Sequence, residues 1–250
     1  MKLGKAWDLV VRNKYDLPQY PNMQPYIDNL AFTPEQAAKI NALNRGFTDL
    51  EIHINKDGLL GCQYKVTTQV LNNNLVGFVD RAYENFIVES KLSARPDFYT
   101  QRENVAYQLG TYFLANEQWE YAIVEITRLP SLRVKDGESP EVFEERLYGD
   151  IISRPAYYFL GWERKSRTFG TKFWRSEFDL EDIYSTFCHV LHEIQDTVTR
   201  GAWYPNNLAC HVPAPCAYLP IKRSGVISEE IYEKRQRKGG ETDERAVGDV

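Results

Sequence analysis

The spacing of hydrophobic positions changes several times along the chain, and each change predicts an element. Residues 3–13 read as a short helix. Thr33 opens a second one. In 33-TPEQAAKINAL-43 the threonine stands at the N-cap, Pro34 at the first helical position and Gln36 three residues after the cap. Gly46 is placed to end it. From residue 49 the period falls towards two. The runs 50-LEIHI-54, 60-LGCQYKVTTQVL-71, 75-LVGFVD-80 and 86-FIVESKL-92, separated by turns at NKDG and NNN, predict a four-strand antiparallel meander. A helical period returns over 101-QRENVAYQLGTYFLAN-116, with Val105, Leu109 and Phe113 on one stripe. Residues 119–129 (WEYAIVEITRL) read as a buried strand and 133–139 as a loop. A helix follows over 139–152, with Ser139 as cap and Pro140 inside its start. Residues 157–178 read as a hairpin around ERKSRT, and 179–201 as a long amphipathic helix ending at Gly201. Residues 202–222 are irregular, and the charged segment 234–250 reads as a disordered tail. The expectation is one α/β domain over 1–233, with a mixed central β-sheet flanked by helices.

Composition narrows the class. At 250 residues the chain can bury a sizeable core, and its 43% hydrophobic and 26% charged residues are those of an ordinary globular protein. No window approaches the run of about 18 apolar residues that a membrane span needs. The first residues show no long apolar run followed by a cleavage site, so a cytoplasmic location is expected. Cys62, Cys188, Cys210 and Cys216 are too scattered for a disulfide scaffold. A net charge of −5 argues against a nucleic-acid binder that works by bulk charge, but leaves room for an enzyme with acidic ligands and a local basic rim.

Candidate chemistry lies in 77-GFVDRAYENFIVESKL-92, where Asp80, Glu89 and Lys91 interrupt two apolar strands. Glu89 and Lys91 share a strand face, with Ser90 opposite. Two carboxylates and an amine on one sheet face are costly unless they bind something, and a hard divalent cation is the natural partner. Gln108 and Tyr112, four apart on the next helix, share a face. A surface salt-bridge set on an exposed sheet face is the plain alternative for the three charged residues.

An Asp on one strand, Glu-x-Lys on the next and Gln-x-x-x-Tyr on the following helix resembles the PD-(D/E)XK nuclease superfamily in its RecB-like exonuclease branch. The motifs here are 77-GFVD-80, 89-ESK-91 and 108-QLGTY-112. The resemblance implies a restriction-endonuclease-like core and Mg²⁺- or Mn²⁺-dependent hydrolysis of DNA, working from linear ends in recombination or repair. It implies that Asp80, Glu89 and the Ser90 backbone carbonyl hold the metal. Lys91 would position and help activate water, Gln108 would hold the lysine region or the scissile phosphate, and Tyr112 would brace the DNA backbone. Where the family often has Gly-x-x-x-His on an early helix, this chain has 4-GKAWD-8, which puts Asp8 at the third ligand position. For a glutamate that some members carry before the Asp strand, Glu51 and Gln63 are both candidates.

Some relatives hold an iron–sulfur cluster on one early and three late cysteines. Here only Cys210 and Cys216 match the late part, with Asn207 and Lys222 where further cysteines would stand, which disfavours a cluster. His189 and His192, with Glu193 beside them, are spaced as ligands but flank an apolar stripe. For DNA contact, residues 91–102 (KLSARPDFYTQR) are the stronger candidate. Arg164, Lys165, Arg167, Lys172 and Arg175, mixed with Phe169, Phe173 and Trp174, are the other, set against a hairpin whose aromatics face the core. A catalytically silent DNA- or protein-binding module of the same fold, a structural iron–sulfur or zinc protein, a homo-oligomer and a recombination partner protein all stay open.

Overall fold

A computed structural model describes residues 2–14, 32–53 and 55–201. The chain divides into two compact units, residues 1–192 and 193–250. Residues 193–201, the described part of the second unit, carry the C-terminal turns of a helix that begins in the first. The segment 202–222, with Cys210 and Cys216, the boundary at 233 and the tail at 234–250 lie outside the described residues.

The first unit is α/β. Its order is α1 (Lys2–Asn13), α2 (Pro34–Asp49), β1 (Leu59–Val70), β2 (Asn73–Tyr83), β3 (Phe86–Ser93), a 3₁₀ turn (Pro96–Thr100), α3 (Arg102–Ala115), β4 (Tyr121–Arg128), α4 (Pro140–Ser153), a single helical turn α5 (Pro155–Tyr158), β5 (Thr171–Trp174) and α6 (Leu180–Arg200). Five strands form one sheet in the order β1-β2-β3-β4-β5. Strands β1, β2 and β3 run antiparallel in succession, β3 and β4 are parallel, and β5 returns antiparallel to β4. The parallel pair follows from α3, which carries the chain back between β3 and β4.

The helix boundaries obey local chemistry. Thr33 accepts from the Gln36 backbone N–H while the Gln36 side chain accepts from the Thr33 N–H, closing a capping box. The Ser139 side chain accepts from Val142 N–H, with Pro140 next to it. Gly46 does not end α2, which runs on to Asp49. It marks a close approach instead, because a Cβ there would stand 2.5 Å from Ile151 Cγ2 on α4. The expected strand over 50–54 is absent from its described residues. Leu50 N–H and Ile52 N–H bond back to Gly46 and Phe47 carbonyls, and Ile52 joins a helical core. The expected meander therefore loses its first member and keeps the other three. In the expected 157–178 hairpin, a bridge at Glu163↔Thr168 does form around ERKSRT, but residues 155–158 are helical, Phe159 meets β4 only through an isolated bridge to Thr127, and 171–174 form the strand that joins the sheet.

Two apolar cores cover the sheet. In one, Val105, Leu109, Tyr112 and Phe113 of α3 pack on Val66, Val79, Ala82, Ile87, Val124 and Ile126. In the other, Trp7 and Val10 of α1, Leu43 and Phe47 of α2, and Phe143, Leu147 and Ile151 of α4 gather with Cys62, Phe159 and Phe169. Leu92, of opposite parity to Ile87, packs against this second core, so the two lie on opposite faces.

Candidate active site

Besides the register shift between Leu59 and Gly61 on β1, side-chain alternation fails at one shared level of β1 and β2. Val79 and Ala82 are three apart yet share the α3 core, whereas regular alternation would put them on opposite faces. Cys62 and Val66, four apart, sit in different cores, whereas alternation would put them on the same face. Between Cys62↔Arg81 and Tyr64↔Val79 in the register lie Gln63 and Asp80, and Gln63 has a left-handed backbone, φ 48°. Both strands thus switch faces at the same level, as irregularities next to functional sites often do. The β2–β3 ladder consists of Arg81↔Val88 and Ala82↔Ile87, and the strands part at Asp80 and Glu89. The result is a notch in the sheet.

Asp80 fills the break. One carboxylate oxygen accepts from Gln63 Nε2 at 2.6 Å and the other from the Ser90 backbone N–H at 2.8 Å, replacing the missing ladder bond. In an extended strand the N–H and C=O of one residue lie on the same edge, so the Ser90 carbonyl faces the notch too. Glu89 is 4% exposed. Its Oε1 accepts from Lys91 Nζ at 2.7 Å and from Gln108 Nε2 at 2.6 Å. Its Oε2 is buried with no hydrogen-bond partner. Gln108 spends its second N–H on the Tyr112 hydroxyl, which donates to the Phe78 carbonyl at 3.0 Å.

Both carboxyls are shifted upward. Burial first, then the Asp80 charge, push the Glu89 carboxyl up to about 7, against the pull of Lys91 and Gln108. Burial and then Asp8 push Asp80 up, opposed by the Ser90 N–H and by the Arg81 and Lys91 charges. Underneath, Arg81 is buried and bidentate to Glu125, at 2.5 and 3.2 Å, and donates to Ser90 Oγ at 2.5 Å. Such a pair fixes geometry more than it stabilises.

All five residues expected at the site, Asp80, Glu89, Lys91, Gln108 and Tyr112, come together, with Ser90 between the carboxylates. Tyr112 is buried, so it braces β2 rather than reaching a ligand. Asp8 is near enough for its charge to raise Asp80, but its carboxylate is held by Arg12. Of the two candidates for a further acidic position, Gln63 is at the notch, while Glu51 is exposed and pairs with Arg167. Arg81 and Glu125 escaped the sequence reading. Their signal was a second charge beside Asp80 in β2 and a glutamate inside the apolar run of β4.

Oxygen donors of this kind suit a magnesium- or manganese-sized cation. The orphaned Glu89 Oε2 and a carboxyl raised by burial and by the Asp80 charge are what a cation would relieve. Among the described residues no three Asp, Glu, His or Cys side chains gather as a ligand set. The fit therefore rests on Asp80, Glu89 and the Ser90 carbonyl. Mg²⁺ commonly accepts one or two carboxylates and completes its shell with water and phosphate oxygens.

The other sequence candidates separate from the notch. Phe169 and Phe173 are core residues. Lys172 lies 3.5 and 3.7 Å from the rings of Tyr121 and Trp174, and Arg175 donates to the Phe113 and Asn116 carbonyls at the end of α3. Phe169, Phe173 and Arg175 thus serve packing, while Arg164, Lys165 and Arg167 lie exposed in the turn between residue 162 and Phe169. Both His189 and His192 are exposed on α6. No described helix is long and apolar enough to cross a membrane.

Comparison with known proteins adds no relative: no family model, no curated protein and no solved structure matches the chain. What the fold and site define is an α/β protein with a five-stranded mixed sheet and a carboxylate notch between two diverging strands.

Proposed function

We propose that the protein is a divalent-metal-dependent deoxyribonuclease that works from the ends of linear DNA. The observation that carries the reading is the Asp80–Glu89 pair, with a buried, unpartnered carboxylate oxygen beside an amine and an amide. A carboxylate oxygen buried without a partner is costly, which a salt-bridge set serving stability alone does not account for. The resemblance of 80-D, 89-ESK-91 and 108-QLGTY-112 to RecB-like nucleases points the same way and supplies the preference for ends.

Asp80, Glu89 and the Ser90 carbonyl would hold Mg²⁺ or Mn²⁺. When bound, the cation supplies positive charge against the phosphate and acidifies water. Lys91 sets a compact, mobile charge on the same face as Glu89, where it can orient an attacking water and meet charge developing on the phosphate. Gln108 keeps Glu89 Oε1 in place, and Tyr112 keeps Gln108 in place by anchoring it to β2. Arg81 and Glu125 hold Ser90 from the opposite face.

A catalytically silent DNA-binding relative is the second reading, favoured by the capture of Asp8 by Arg12. Incubation of end-labelled linear and closed circular DNA with Mn²⁺ separates the two. Degradation of the linear form alone is expected, and a linear substrate that survives intact overturns the proposal.

A further inference from the structure

Beyond the notch, cations and aromatic rings follow one another along a line joined at its middle by the Asp97–Arg128 contact. Lys91 Nζ lies 6.0 Å from the Tyr99 ring centre, and Tyr99 meets Phe98 edge-on at 5.2 Å. Both rings belong to the 3₁₀ turn that follows β3. From the same turn, Asp97 reaches Arg128 at 3.8 Å. Arg128 ends β4, the parallel neighbour of β3, with its Cα paired to Ser93. Its guanidinium is 4.4 Å from the Tyr157 ring centre, and its Nε donates to the Tyr157 carbonyl at 3.0 Å. Arg154 approaches that ring too, at 4.6 Å. Arg95, exposed at the N-cap of the turn, adds another charge.

We propose that this line, from Lys91 through Phe98 and Arg128 to Tyr157 and Arg154, binds single-stranded nucleic acid and leads it to the notch. The proposal deepens the nuclease reading and rests on it. Position is the first reason. The line starts at Lys91 and runs over the C-terminal ends of two parallel strands, where ligands of open α/β sheets collect. Charge is the second. Against a whole-chain balance of −5, four basic residues gather here, and the Asp97–Arg128 contact is long, 3.8 Å, with its acidic partner exposed to solvent, so it offsets little of the Arg128 charge. Asp150 holds Arg154 in a defined pose and offsets part of its charge. Exposure is the third. Phe98 is 50% and Tyr157 39% exposed. The exposed Phe98 ring can stack on an unpaired base, and Tyr157 presents the two guanidinium groups over its ring, while a duplex hides its base faces and offers only phosphates. That difference selects a single strand.

Fluorescence anisotropy of a labelled oligothymidylate, measured in EDTA so that nothing is cut, tests the proposal. Phe98→Ala, which removes an exposed ring and leaves the fold intact, is expected to weaken binding about tenfold. Arg128→Gln with Arg154→Gln is expected to weaken it and to reduce the slope of log K against log salt by about 0.7 for each phosphate no longer neutralised. Arg164→Gln with Lys165→Gln removes equal charge from the exposed 163–168 turn and is expected to change little. Wild-type affinity in both track variants overturns the proposal. So does an equal loss in the Arg164/Lys165 control, or a duplex competitor that displaces the oligonucleotide as well as an unlabelled single strand does. Hydrolysis by the wild-type protein in Mn²⁺ is scored separately. Cutting with unaltered binding by the track variants sinks the track alone. Weakened binding by those variants, with no cutting by the wild type, leaves the track standing and sinks the nuclease reading.

Discussion

Glu89 shows how far surroundings set the chemistry of one side chain. Its carboxyl titrates at about 7 when folded, against 4.5 for the free group. Between those values the folded protein holds a proton that the unfolded chain has released, so stability falls as pH rises through the window. Asp80 is shifted in the same direction and adds to the slope. Thermal unfolding in EDTA is therefore expected at a lower temperature at about pH 8 than at about pH 5, and Glu89→Gln is expected to flatten the difference. A slope unchanged by Glu89→Gln would contradict this. Lys91 plays a different part. Its ammonium opposes the cation for which Asp80 and Glu89 are placed, so Lys91→Ala is expected to keep or improve metal binding. The same change should lower kcat about 10²–10³-fold, the range seen when one group that stabilises transition-state charge is removed. Metal titration and single-turnover kinetics on the same preparation check both halves.

The elements carry the residues to these positions, and a glycine decides how closely two of them meet. A Cβ on Gly77 would lie 2.9 Å from Tyr112 Cε1 and 3.3 Å from Val66 Cγ2. Gly77→Ala is expected to push the Tyr112 ring, cost about 1–3 kcal/mol in denaturant unfolding and loosen the Gln108–Glu89 hydrogen bond. Unfolding at wild-type denaturant concentration would show that α3 does not lean on β2 there. The starts of α2 and α4 were legible because N-capping needs only neighbours, as at Thr33–Gln36 and Ser139–Pro140, whereas the end of α2 was misplaced at Gly46. The 50–54 segment was misread because alternation is also what a helix exit looks like when Ile52 turns into a core made by α1, α2 and α4. The face switch at Gln63 and Asp80 was not legible at all. It depends on a left-handed backbone at a residue that is not glycine, stabilised by a partner 17 positions away.

Across the molecule, the mixed sheet was legible because strand runs surround a helical period, which forces one parallel pair. The site was legible as a motif, since Asp80, Glu89, Lys91 and Gln108 sit in three consecutive elements. Its support was not. Arg81 and Glu125 pair across 44 positions, and nothing short-range joins them. The fold thus spends buried charge on holding two carboxylates in a break of the sheet, and a cation that binds only the folded state should give stability back. Saturating Mn²⁺ is expected to raise the unfolding temperature in proportion to the logarithm of its concentration above the dissociation constant, and more at pH 8 than at pH 5, where protons compete for Glu89. The central claim is that Asp80 and Glu89 together hold a divalent metal ion, and calorimetric titration of Mn²⁺ into the metal-free protein tests it most directly. Saturable binding by the wild type that disappears in the Asp80→Asn, Glu89→Gln double variant is predicted. An identical isotherm in both proteins, or none in the wild type, would contradict it.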